Sequence, residues 1–167
     1  MLTDSVISCA VFGQRPRQPG VIHLPLFTSH ADLGLDYTLL QNGAVSLFFR
    51  QAVLEDAILW LREHDYLVVA VDTSACATTT ALRVAVVSGV PDWPPGTDMA
   101  VSGADAFSDT LMDIEFGGHE GIAFSFLHFD DFAGRHSLDA FHLLDSIESR
   151  ARWHLLFGHR LMALVQS

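Results

Sequence analysis

Apolar residues recur along this chain with two different periods, and each change of period marks an element. Between 50 and 64 they return at helical spacing, Leu54, Ala57, Ile58 and Leu61 sharing one face, so an amphipathic helix is expected there after a strand at 44–49. Leu67-Val68-Val69-Ala70-Val71 is continuous, β-branched and bounded by Asp65-Tyr66 and Asp72-Thr73, the pattern of a strand buried on both faces. A helix over about 78–88 is expected next, capped by Thr73 or Ser74 and closed by Gly89 and Pro91. Pro91, Pro94 and Pro95 then exclude helix. Gly117-Gly118 marks a turn, and 122–127 reads as a central strand. Ser137 is expected to cap a helix to about 153, with Ala140, Leu144, Ile147 and Ala151 inward and Glu148–Arg152 paired outside. Beyond Gly158, 161–165 is the last strand.

Strands near 67–72, 121–128 and 160–166 thus alternate with helices. That order predicts an α/β fold, a small parallel sheet of about three core strands flanked by helices, with right-handed crossovers. The strand and helix at 44–64 add an N-terminal βα unit. Residues 1–43 read as an N-terminal extension holding edge strands and loop, ahead of one domain at 44–167 whose core begins near 66. Within the extension, 7–12 is strand-like, and Pro25 confines 21–26 to a sheet edge.

The most distinctive stretch is Gly103 to Ile114. At 3.6 residues per turn, Ala104, Phe107, Leu111 and Ile114 form a core-facing stripe. Asp105, Asp109 and Asp113 stand one above another on a different face. Stacked like charges repel by a few tenths of a kcal/mol per pair. No Lys or Arg lies between Arg83 and Arg135 to offset them locally. Two readings stand: a solvated acidic face, or a surface shaped for a cationic partner.

Charge narrows the choice. The chain has 167 residues, a formal charge of −11 and half its residues hydrophobic, a globular composition. Such a balance speaks against direct binding of nucleic acid and suits a basic protein, whose approach it accelerates. Cys9 and Cys76 are too few for a disulfide framework. With no basic flank before a long apolar run and no span of membrane length, a soluble protein of a reducing cytoplasm is expected. His128, Asp130 and Asp131 suggest a metal cluster only until the alternation of a strand is considered, so neither metal nor cofactor is expected. There is no Gly-x-Ser-x-Gly elbow, Walker loop, Rossmann glycine pattern or HExxH, and the expectation is a protein that is not an enzyme.

The run Ala104-Asp105-Ala106-Phe107-Ser108-Asp109-Thr110-Leu111 resembles the Asn-Leu-Asp-Ala-Leu-x-Asp-Cys-Leu signature of the barstar family, intracellular inhibitors of barnase-type ribonucleases. Leu40-Gln41-Asn42-Gly43-Ala44 and the segment from Ala151 to Ser167 also resemble longer members, so the likeness covers roughly 37–167. It implies the small three-stranded α/β sheet of that family and an acidic helix that enters the nuclease active site. Asp105 and Asp109 would there meet cationic groups that otherwise hold RNA phosphate, with Asp113 a turn further on. As the middle of the column, Asp109 is expected to be the most completely covered. Trp93 would take the role of the aromatics that border the inhibitory surface. Glu148 is the nearest match to an acid that relatives direct at the nuclease from the following long helix. Ser108 stands where relatives carry a large aromatic, and Gly103 replaces their Asn. The implied function is inhibition of a basic ribonuclease, with a barstar-like binding module for some other protein as the alternative.

Overall fold

The computed structural model of the protein describes residues 34–94 and 102–167. One sheet holds four parallel strands, β1 (Val45–Phe48), β2 (Tyr66–Asp72), β3 (Gly121–Leu127) and β4 (Arg160–Gln166), in the spatial order β1-β4-β3-β2. Among the described residues the α-helices, in chain order, are α1 (Leu35–Leu40), α2 (Gln51–Glu63), α3 (Thr79–Ser88), α4 (Ala104–Met112), α5 (Phe129–Arg135) and α6 (Ser137–Leu155). The protein is therefore α/β, a parallel sheet flanked by helices.

Side-chain alternation along the two central strands divides the core. Ile122, Phe124 and Phe126 of β3 and Leu161, Ala163 and Val165 of β4 join a cluster with Leu82 and Val86 of α3, Phe107 and Leu111 of α4, and Leu143, Ile147 and Ala151 of α6. Ala123, Met162 and Leu164 point the other way, to Leu54, Ala57 and Leu61 of α2. Because both faces are covered, β3 and β4 are apolar almost throughout.

Three details depart from expectation: the place of the Leu67–Val71 run and the caps of α3 and α6. The expected βα unit is present and joins the sheet: β1 pairs with β4, so among the described residues the sheet has four strands and α2 carries the chain from one edge to the other. The Leu67–Val71 run lies at that opposite edge, with Val69 and Val71 buried and Leu67, Val68 and Ala70 half-buried. A continuous apolar run does not tell an edge strand covered by helices from a central one. The cap of α3 is Thr78, whose Oγ1 accepts from the Ala81 N–H at 3.1 Å. Thr73 is instead buried, its hydroxyl reaching the carbonyl oxygens of Leu127 and His128 at 2.7 and 2.8 Å. Ser137 is the first residue of α6, with His136 in the cap position.

The described part of the expected N-terminal extension is built onto the sheet. Tyr66 Oη donates to Asp36 Oδ2 at 2.6 Å, while Arg160 Nη1 donates to Tyr66 Oη at 3.3 Å and to Glu120 Oε2 at 3.0 Å. Burial, reinforced by the Asp36 carboxylate, pushes the Tyr66 hydroxyl pKa far up. The strands expected at 7–12 and 21–26 lie outside the described residues.

Candidate functional site

Phe107 and Leu111 fasten α4 to the core, and both are fully buried. Apolar residues at that spacing leave Asp105 and Asp109 on the solvent side, where the structure exposes both. Asp105 lies in the first turn, where the partial positive charge of the helix N-terminus favours a carboxylate. The third member of the expected column is not helical: α4 ends at Met112, and Asp113 is its C-terminal cap residue (φ −97°, ψ 6°). Asp113 is exposed, while Ile114 beyond it turns into the core.

A cation absent from the local sequence reaches this face from α6. Arg150 Nε donates to the Ser108 carbonyl at 2.9 Å and to Ser108 Oγ at 3.0 Å, and its Nη2 lies 3.3 Å from Asp109 Oδ1. Ser108 is thus half-buried under the guanidinium. Asp109 retains 77% side-chain exposure, so this pair contributes about 0–1 kcal/mol. Asp105 has no ion-pair partner among the described residues. The two carboxylates are therefore unequal, one already shared and one free.

Trp93 and Glu148 are not gathered beside them. The Trp93 ring stacks on Phe107 at 6.0 Å and packs half-buried against the core. Glu148 accepts from the Ala44 N–H ahead of β1 and, at 2.8 Å, from Arg152 Nη2. With Leu40, Ala44, Arg152 and Leu155 it lines a separate cleft of about 290 Å³. Two residues further along α6, Arg150 leaves on a different side, roughly 200° around the helix.

At the carboxyl ends of β2 and β3, His128 Nδ1 sits 3.0 Å from Asp72 Oδ1. Ser74 donates to the same carboxylate through N–H and hydroxyl, at 3.0 and 2.6 Å. Those bonds, with His128 in second place, hold the Asp72 pKa below the usual carboxylate range. Asp130 is turned to Ser167, and no group of three metal-ligating side chains occurs among the described residues.

Sequence reasoning missed Arg150, His154 and the Asp72–His128 pair, because each meets its partner across about 40 residues or more of chain. No family model, curated protein or solved structure matches the chain. Among the described residues no helix is long and apolar enough to cross a membrane.

Proposed function

We propose that the chain is a barstar-like inhibitor of a basic, barnase-type ribonuclease, with carboxylates of α4 standing in for RNA phosphate in the nuclease active site. One observation carries this reading: Asp105 and Asp109 stand exposed a turn apart on a helix whose opposite face is locked into the core. A rigid platform presents charge without ordering it at the moment of binding. The formal charge of −11 would steer a basic partner toward it. The resemblance of 104–111 to the barstar signature supplies the partner class. On this reading the protein works by occlusion, in the cytoplasm, with no catalysis and no cofactor.

A second reading, a barstar-like module for a partner that is not a ribonuclease, is favoured by Ser108. Its hydroxyl accepts from Arg150 at 3.0 Å, where the family signature would offer an aromatic anchor to the nuclease.

RNA cleavage by a barnase-type nuclease, titrated with this protein at fixed salt, tests the proposal. Inhibition is expected, weakened at least tenfold, about 1.4 kcal/mol, when Asp105 and Asp109 are both replaced by Ala. Wild-type protein that inhibits no such nuclease removes the ribonuclease reading. Inhibition unchanged in the double variant moves the site off α4.

A further inference from the structure

The outer face of α6 carries large apolar residues where a solvated helix would carry charge. Leu138, Phe141 and Leu156 are 66%, 63% and 76% exposed. With Asp145, Ser149 and Arg152 they make an i, i+3, i+7, i+11, i+14, i+18 line, which continues into Leu156 because that residue keeps helical angles. At about 100° per residue this line lies diametrically opposite the buried Ala140, Leu143, Ile147, Ala151 and His154.

The line is self-complementary when reversed. Run against a copy of itself about an axis beside Ser149, it sets Asp145 opposite Arg152 and Phe141 opposite Leu156, each pair occurring twice. A parallel copy would set Asp145 against Asp145 and Arg152 against Arg152. Arg152 keeps 76% of its side chain exposed, although Glu148 Oε1 accepts from its Nε and Nη2 at 3.2 and 2.8 Å, so a facing Asp145 would share the guanidinium with Glu148. A foreign partner needs no such balance of acid and base about one centre; a two-fold pair of identical helices does.

We infer that this face of α6 pairs antiparallel with the same face of a second copy of the chain, forming a two-fold dimer. Arg150 projects from another side of α6, so α4 and its carboxylates stay outside the pairing. The inference is independent of any ribonuclease.

Sedimentation equilibrium of the full chain across a concentration series reads the association, the average mass rising from 18.3 kDa toward twice that value. Arg152→Glu should weaken it about tenfold or more by placing like charges together, and adding Asp145→Arg to the same chain should restore it. Oxidised Ser149→Cys should link two copies beyond the level of wild type, whereas Leu138→Cys, far from the axis, should not. A chain monomeric at every concentration overturns the inference. So does a dimer indifferent to Phe141→Asp and unlinked through Ser149→Cys, and so does one linked through Leu138→Cys, which is parallel. A monomeric chain that loses some other protein on Phe141→Asp assigns the face to that protein instead.

Discussion

His154 Nε2 lies 2.7 Å from the carbonyl oxygen of Leu111, so one buried imidazole of α6 ties down the last turn of α4. Helix ends leave such carbonyls without partners inside the helix. Phe116 meets the same ring edge-on at 5.0 Å, closing the site to water.

Acid should loosen the α4–α6 junction because this imidazole is buried, and in spite of its bond to Leu111. Burial, first, and then the charges of His159 and Arg150 hold the His154 pKa below its ordinary 6.5, against the opposite pull of the Leu111 carbonyl. The folded state thus binds this proton less readily than the unfolded one. The resulting stabilisation is present above 6.5 and is lost as pH falls through the lower, folded value. Thermal unfolding followed from neutral to mildly acidic pH should show Tm falling. The fall should be shallower in His154→Gln, which keeps an N–H for Leu111 and has no proton to gain. Parallel curves for the two proteins would remove His154 as the cause.

Phe107 is the residue on which the orientation of α4 depends. It is 1% exposed among Leu111, Val86 and Phe124. Phe107→Ala should cost about 3–5 kcal/mol, measurable as a lowered denaturant midpoint, within a total stability of about 5–15 kcal/mol. An unchanged midpoint would contradict the packing of this face.

How much of this was legible depends on how far apart in the chain the partners lie. Phe107 and Leu111 were readable because a helix repeats its inner face every three to four residues. The loss of Asp113 from the helix was not, since neither Gly nor Pro marks the end at Met112. Periodicity also placed the strands, but it cannot order them, and β1 beside β4 follows from packing across the whole sheet. Thr73 looked like a cap because Ser and Thr often are, yet its partners at Leu127 and His128 lie 54 and 55 residues on. The acidic column looked uncompensated for the same reason, Arg150 being 41 residues from Asp109.

Asp36 and Tyr66 give a test of whether residues ahead of β1 belong to the domain. Asp36 is 6% exposed and takes the Tyr66 O–H at 2.6 Å, with Arg160 Nη1 3.6 Å away. Tyr66→Phe removes the donor and leaves a buried carboxylate less satisfied, at a cost of about 1–3 kcal/mol. Chemical denaturation should report that loss, and limited proteolysis should find the 34–43 segment cut sooner. A neutral substitution would show that α1 is held without this bond.

Asp105 and Asp109 should not be equal toward a basic partner, and Arg150 decides their order. From its place in the column alone, Asp109 would dominate. In the folded protein its Oδ1 already faces Arg150 Nη2 at 3.3 Å, so an incoming cation must share that carboxylate and meet a resident positive charge. Asp105 faces no such competitor. On the proposed inhibitor reading, Asp105→Ala should therefore weaken nuclease inhibition at least as much as Asp109→Ala. Asp109→Ala should change folding stability by no more than about 1 kcal/mol, since its ion pair is largely exposed. Arg150→Gln removes the competing charge and leaves an amide able to reach the Ser108 carbonyl. Association should then quicken, most at low salt, where screening lengths approach about 30 Å against about 8 Å at physiological ionic strength. In that background the loss on Asp109→Ala should grow to match or exceed that on Asp105→Ala. Stopped-flow association rates at two salt concentrations, with inhibition titrations for the four variants, measure all of this. If Asp109→Ala dominates even with Arg150 in place, the arginine is a support for Ser108 and exerts no electrostatic control over the site.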